Sequence, residues 1–362
     1  MSEAGEQRQS DFRRRFHEEM VAATAELLES RGVELEEAGL IVESAIQQGV
    51  DRAGAALASN LSEDAPTMLS EHADMWVTIR GEIREVWGPI LERLYEILVC
   101  AEEIGAEFVK DHAEEAESDG DLVFSVLTRL LAQGISTGFA SWHLLCNGQP
   151  AIAWSTARSL HEFNVTAVVI AKFGNDLAER FIDYKYVDQL RYIRHTDEHA
   201  DSSGQEPFDA DTRADVEVRV DAFALKYGKQ FRAPYGWAAH LFEGERGFAA
   251  LEGIARLEHW RADYLAGSQF VHATPWGAEL SHEAGGAVTY WRMTGLGDPI
   301  SHVLVSLLQL VHTVVSHGKE ANLYDLVALA ALRHLVNAAE ELIIPSERVA
   351  SQHVEGASGT AT

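Results

Sequence analysis

The sequence predicts an all-α protein, a multi-helix bundle that follows an acidic helical amino-terminal region. Proline is scarce, with 8 in 362 residues, whereas alanine, leucine and glutamate are frequent. Hydrophobic residues make up 46% of the chain and charged residues 24%, which is the usage of a globular protein. Apolar residues recur at helical spacing, and the length suffices for two or three ordinary domains or for one large helical body with an appended arm.

The amino-terminal region contains three predicted helical segments. Residues 11–31 form an amphipathic helix, and a second helix covers about 34–58. A long helical pattern then covers about 67–117, and Gly88–Pro89 interrupts it at a place where proline should kink or break the helix. We expect the first two helices to pack on the bundle or to mediate homo-oligomers.

An acidic, weakly apolar stretch at 111–121 predicts the boundary between this region and the bundle. The sequence therefore divides into an acidic helical region at 1–120, a helical bundle domain with a polar pocket at 122–345, and a disordered polar tail at 346–362.

Dense helical patterns follow residue 122, and their short connections predict antiparallel neighbours. The predicted helices cover about 122–147, 150–174, 176–200, 211–228, 247–276, 299–317 and 321–344. Between them, residues 229–246 are irregular and aromatic. Ala287–Thr294 is the single candidate for a strand or hairpin.

The charge of the chain disfavours two classes of partner. The formal net charge is −28, and residues 1–121 hold 29 Asp and Glu against 10 Lys and Arg, while residues 122–362 hold 28 against 19. A surface of this sign repels nucleic-acid phosphates and anionic lipid headgroups. The sequence therefore predicts no membrane partner and disfavours nucleic acid, and it does not identify a partner of another kind.

Cysteine usage and the distribution of apolar residues predict a cytoplasmic protein. Cys100 and Cys146 lack the spacing of a metal or redox motif, which indicates buried, reduced thiols. The polar, charged amino terminus predicts no signal peptide. The most apolar run, Ile300–Val315, is too short and too polar to span a bilayer.

Arg158 and Glu162 are the first candidate site residues, because they lie one helical turn apart in an otherwise apolar helix. Two charges on such a helix are at least partly buried. A buried pair contributes an uncertain net stability, since desolvation offsets the attraction. The pair is therefore either a structural clamp between helices or one wall of a site.

Tyr264, Ser268 and His272 are spaced four and four, so a continuous helix would present all three on one face. Histidine acts as acid, base or ligand near neutral pH, and a hydroxyl can orient it or a substrate. These residues are either hydrogen-bonded core groups or a second wall of the site. The chain has no Gly-x-Ser-x-Gly elbow, so a hydrolase pair is not predicted.

Three segments, Ala157–Glu162, Ala178–Tyr184 and Ser268–Pro275, resemble a bacterial domain-of-unknown-function family, number 5677. The resemblance covers about 125–280, under half of the chain. It implies an all-helical architecture without a settled activity and a shared candidate pocket. The pocket residues are Arg158, Glu162, Arg180, Tyr184, Tyr264, Ser268 and His272.

Arg194 to His199 resembles the Arg-x4–6-His motif of HEPN ribonucleases, helical proteins that cleave RNA without metal. This resemblance implies His199 or His272 as the base and Arg194 or Arg158 as the phosphate ligand. About three such matches are expected by chance in this composition. The leading interpretation is therefore an uncharacterised cytoplasmic bacterial protein with a binding or interaction role. The alternative is an endoribonuclease of phage defence or of a toxin system, and enzymatic activity stays open.

Metal binding and a covering loop are two further possibilities. His195 and His199 at i, i+4 can ligate one ion, but Asp197 and Glu198 are expected to point to other faces. The sequence therefore predicts no metal and no cofactor. The aromatic segment 235–240 either covers the pocket or fills the core.

Overall fold

Eleven α-helices and no strand form the part of the chain that the computed structural model describes, namely residue 14 and residues 38–280, 291–317 and 323–359. The all-α multi-helix prediction is therefore confirmed. The chain divides into two compact units, Met1–Thr78 and Ile79–Thr362. The predicted division at 120 and 122 remains a prediction.

The helices are numbered here in chain order. They are α1 (Ala38–Asp119), α2 (Leu122–Cys146), α3 (Pro150–Phe173), α4 (Asn175–Ser203), α5 (Ala210–Tyr227), α6 (Phe248–Ala255), α7 (Arg261–Val271), α8 (Pro275–Leu280), α9 (Gly297–Val315), α10 (Leu323–Glu340) and α11 (Ile343–Gly359). Short 3-10 helices lie at Lys229–Arg232, Gly236–Leu241 and Glu258–Trp260.

Helix α1 continues through Gly88–Pro89, where the sequence predicts a kink or break. Proline removes one backbone hydrogen bond, but tertiary packing contributes more to helix stability than a single bond does. Ile83, Trp87 and Ile90 are fully buried on either side of the proline. The Trp87 indole also donates to the Met293 carbonyl over 2.8 Å, which fixes this segment of α1.

Other predicted elements differ from the structure or lie outside it. Predicted helix 11–31 lies outside the described residues except for Arg14, so its proposed role in oligomers stays a prediction. Of the candidate strand, Ala287–Tyr290 lies outside the described residues and Trp291–Thr294 is not a strand. Residues from 346, predicted as a disordered tail, form most of α11 as far as Gly359.

Helix α3 is the centre of the larger unit, with α2, α9 and α7 packed against it. Its apolar residues Leu160, Val165 and Ile170 are fully buried. A Cβ at Gly134 of α2 would approach the Leu310 side chain of α9 to 2.4 Å, so a glycine lets α2 and α9 pack closely. The helical spacing of apolar residues in α2, α3 and α9 thus produces one continuous core.

Two of these core helices, α2 and α9, are long and apolar enough to cross a membrane by length and composition alone. For α9 this differs from the sequence prediction, in which the run Ile300–Val315 is too short and too polar, because the helix begins at Gly297. The central helices of a globular core meet the same criterion. In α9 most of the apolar segment is buried against neighbouring helices, including Val303, Leu307 and Val311. This packing explains the hydropathy of α9 without a bilayer.

Helix α7 crosses α3 at Gly267. A Cβ at this position would lie 2.8 Å from the Trp154 carbonyl oxygen and 2.9 Å from the Arg158 Cβ. The approach is therefore a backbone-to-backbone contact that a side chain would prevent. It brings the preceding turn of α7, which carries Tyr264, beside the Arg158 turn of α3.

We expect Gly267→Ala to lower the free energy of unfolding by about 1–3 kcal/mol, because its methyl group must push α7 away from α3. The matched control is Gly81→Ala on α1, where an added Cβ meets no atom within 4 Å. That variant should gain about 0.5–1 kcal/mol from helix propensity. Urea unfolding followed by circular dichroism measures both, and equal effects of the two substitutions would contradict the close crossing.

Candidate functional site

Arg158, Glu162 and Tyr264 form a closed hydrogen-bonded triangle between α3 and α7. Nη2 of Arg158 lies 2.8 Å from Oε1 of Glu162 and donates to the Tyr264 hydroxyl over 2.7 Å. That hydroxyl in turn donates to Oε1 of Glu162 over 2.9 Å. The Arg158 side chain is 15% exposed and that of Glu162 is 34% exposed, so the triangle is half-buried at the edge of the bundle. The structure therefore brings together three of the seven predicted pocket residues.

Aromatic and cationic groups surround the Tyr264 ring. Phe248 stacks on it at 4.6 Å between centroids, and the guanidinium of Arg261 lies 4.9 Å from its centroid. Burial raises the pKa of the Tyr264 phenol, while the hydrogen bond from Arg158 opposes that rise. The Tyr264 hydroxyl therefore stays protonated near neutral pH and acts as donor to Glu162.

Tyr235 adds a second phenol beside the triangle. Burial raises the pKa of Tyr235, the negative charge of Glu162 raises it further, and Arg158 and Arg261 lower it. The Tyr235 side chain is thus within electrostatic reach of both arginines. It enters from the segment between the 3-10 helices Lys229–Arg232 and Gly236–Leu241.

A second polar network lies deeper and contains residues that the sequence analysis did not select. Nε2 of His161 lies 3.1 Å from Oε1 of Glu252, and the exposed fractions of the two side chains are 1% and 0%. Arg261 donates to the other carboxylate oxygen of Glu252 over 2.7 Å. Arg261 therefore touches both networks, since its guanidinium also lies over the Tyr264 ring.

These missed residues left a weak signal in the sequence. His161 lies within the Ala157–Glu162 motif, between two residues that were selected. Glu252 is the one charged residue in the eight-residue apolar helix α6, and a lone acid there indicates a buried partner. The identity of that partner depends on tertiary contacts between α3 and α6.

His302 of α9 extends the buried network. Its ring contacts those of Trp154, Trp260 and His161, with centroids 5.7, 5.8 and 5.4 Å away. Neither ring nitrogen has a hydrogen-bond partner among the described residues, and Nδ1 lies 4.0 Å from the Asp263 carboxylate. Burial, assisted by the charge of His161, lowers the pKa of His302 to about 3. His302 is therefore a neutral imidazole near neutral pH.

Arg180 and Tyr184 hold a loop instead of joining the triangle. Nε of Arg180 donates to the Trp237 carbonyl over 2.9 Å, and the Tyr184 hydroxyl donates to the Ala233 carbonyl over 2.7 Å. Both carbonyls belong to the irregular aromatic loop at 229–246, which carries Tyr235. Arg180 and Tyr184 of α4 thus hold the loop in place and make no direct contact with the triangle that the described residues show.

The backbone of this loop is tightly constrained. Tyr235 has a positive φ of 55°, which is uncommon for a residue with a side chain. A Cβ at Gly236 would lie 2.0 Å from the Phe231 carbonyl oxygen, so only glycine fits there. Trp237 is buried against Phe181, which supports the core-filling interpretation of this residue.

Ser268 and His272 do not continue the Tyr264 stripe toward the triangle. The Ser268 hydroxyl donates to the Tyr264 carbonyl of its own helix over 2.8 Å. Helix α7 ends at Val271, and His272 has an extended backbone and an exposed side chain. Residues spaced by four share a face only while the helix continues. Because α7 ends at Val271, His272 does not lie on the face that carries Tyr264 and Ser268.

Arg194 and His199 lie on the exposed surface of α4. Nη2 of Arg194 pairs with Oε1 of Glu217 over 3.1 Å, so its guanidinium is already engaged. Five positions on a helix place Arg194 and His199 about 140° apart around its axis. This geometry offers no support for the paired action that the HEPN resemblance implies.

Glu198 differs from its sequence prediction. Its carboxylate lies on the same surface as the imidazoles of His195 and His199, with ligand atoms all within 4.8 Å of one another. The glutamate side chain is long enough to reach an adjacent face, which a helical-wheel argument neglects. Asp197 points elsewhere as predicted, and it accepts a hydrogen bond from the Phe208 amide over 2.8 Å.

The fold and site define an all-α domain built around a buried polar network. Residues 124–287 match the model of a family of unknown function, DUF5677. The match confirms the resemblance inferred from three helical motifs. The chain matches no curated protein and no solved structure. These comparisons give no support to the HEPN resemblance.

The buried neutral state of His302 predicts an acid-dependent loss of stability. Its folded pKa lies below the unfolded value of about 6.5, so between about pH 6.5 and 3 the unfolded chain binds a proton that the folded chain excludes. Stability therefore falls as the pH falls, by up to about 1.4 kcal/mol per pH unit from this residue.

We expect His302→Leu to flatten the dependence of unfolding free energy on pH below about 6, and the exposed His334→Leu to leave it unchanged. Urea unfolding at a series of pH values measures the slopes. A His302→Leu slope equal to that of the wild type would show that this imidazole is protonated in the folded state.

Proposed function

We propose that this chain is a cytoplasmic bacterial binding protein whose ligand site is the Arg158–Glu162–Tyr264 triangle, with Tyr235 as its covering residue. The matched family model names no activity, so the proposal rests on the chemistry of the site. The interior pair of His161 and Glu252 is fully buried, and Arg261 connects it to the triangle by contacts with Glu252 and with the Tyr264 ring. A binding role requires only these hydrogen-bonding and charged groups, and no nucleophile or catalytic base.

The single observation that carries this proposal is the hydrogen bonding of Arg158. Its Nη2 engages two partners, whereas its Nε is buried and has no hydrogen-bond partner among the described residues. An unsatisfied buried donor costs about 1–3 kcal/mol. A ligand oxygen beside Nε would recover that cost, so the site favours a molecule with a carbonyl or carboxylate acceptor.

The charges of the site limit the ligand further. Arg158 pairs with Glu162 and Arg261 pairs with Glu252, so the formal charges cancel. Balanced charge favours a small neutral or zwitterionic ligand over a polyanion, in agreement with the acidic surface. The Tyr235 phenol, whose pKa responds to Glu162, Arg158 and Arg261, is a further group that could bond to such a ligand.

A thermal-shift screen tests this proposal, with free amino acids, nucleosides and monosaccharides as the probes. Binding at 100 times the dissociation constant stabilises by about 2.7 kcal/mol, which corresponds to a shift of several degrees for a chain of this size. The wild type is compared with Arg158→Met and with Arg84→Met, an exposed arginine of α1, each against its own ligand-free midpoint.

We expect at least one probe to raise the melting temperature of the wild type and of Arg84→Met, with the shift reduced or lost in Arg158→Met. Tyr264→Phe should weaken the same probe about tenfold, because it removes the hydroxyl that orients Arg158. A screen in which every probe shifts all variants equally would overturn the assignment of the site.

A further inference from the structure

We propose a second site, a divalent transition-metal site formed by His195, Glu198 and His199 on α4. Their ligand atoms all lie within 4.8 Å of one another. The two imidazole rings lie 5.8 Å apart between centroids with 25° between their planes, so they are stacked side by side. The site is separate from the triangle, and it does not depend on the proposed function.

Helix geometry explains why these residues converge. Residues at i and i+4 share a face, and the residue at i+3 is adjacent to it. Donor atoms around a tetrahedral ion with bonds of about 2.1 Å lie about 3.4 Å apart. Small rotations of three exposed side chains close the gap from the present arrangement, and no buried group has to move.

The neighbouring charged groups favour a cation at this surface. Arg194, the nearest arginine in the sequence, is turned to Glu217, and Asp197 is turned to Arg213. The Arg194 guanidinium therefore pairs with Glu217 and not with the Glu198 carboxylate. The overall charge of −28 also attracts a cation and lowers the cost of bringing it to the helix.

The donor set indicates the class of metal. Two imidazoles and one carboxylate suit Zn²⁺ and the neighbouring first-row divalent ions, whereas Ca²⁺ and Mg²⁺ prefer all-oxygen sites. Three protein ligands leave at least one coordination position open to water, as in zinc sites that keep an exchangeable ligand. The structure thus points to an open, solvent-facing Zn²⁺ site instead of a closed structural one.

Calorimetric titration of the full chain with Zn²⁺, after removal of metal by a chelator, tests this inference. The variants are His195→Ala, His199→Ala and Glu198→Gln, and His353→Ala on α11 is the matched control with an exposed histidine outside the cluster. Since all four positions are exposed, the variants should keep the circular dichroism spectrum of the wild type.

We expect one strongest Zn²⁺ site per chain, whose affinity falls about tenfold or more in each histidine variant and by a smaller factor in Glu198→Gln. Co²⁺ should give a visible absorption band that is lost in the histidine variants and kept in His353→Ala. If the strongest site keeps its affinity in His195→Ala and His199→Ala, or if the wild type binds no equivalent of Zn²⁺, the inference is wrong. Either result leaves the ligand test at Arg158 unaffected.

Discussion

The packing of the larger unit depends on hydrogen bonds that polar side chains of α3 make with the helices around it. His161 and Asn164 lie at the centre of the larger unit and Arg158 lies partly buried at its edge, and leaving a buried polar group unpaired costs free energy. Each is met from a different helix: Tyr264 of α7 contacts Arg158, Glu252 of α6 contacts His161, and Gln309 of α9 contacts Asn164 over 3.0 Å. These bonds fix the positions of three neighbouring helices around α3 and add direction to apolar packing, which has little of its own.

This arrangement separates two layers of charge with different roles. The inner pair of His161 and Glu252 is removed from water and serves to hold α3 and α6 together. The outer triangle is partly exposed, with 15% of the Arg158 side chain and 34% of the Glu162 side chain accessible to solvent. Arg261 joins the layers, since it bonds to Glu252 and lies over the Tyr264 ring.

Two faces of helix α4 carry polar groups, one toward the aromatic loop and one toward solvent. Arg180 and Tyr184 donate to carbonyls of the aromatic loop, and this loop places Tyr235 beside the triangle. Farther along the same helix, His195, Glu198 and His199 face solvent. The helix thus holds the aromatic loop with one face and presents the cluster of His195, Glu198 and His199 on its exposed face.

The sequence by itself determined the helical class, the central helices and the pairing of Arg158 with Glu162, because helical spacing and a turn of four residues are local properties. It also indicated Tyr264, since a polar stripe in an apolar helix needs a partner. Only the tertiary structure decided which helix supplies that partner, and it separated Arg180, Tyr184, Ser268 and His272 from the triangle. The reason is that side-chain partners across helices depend on close approaches such as that at Gly267, and on where a helix ends, as at Val271. Neither is encoded in spacing along the chain.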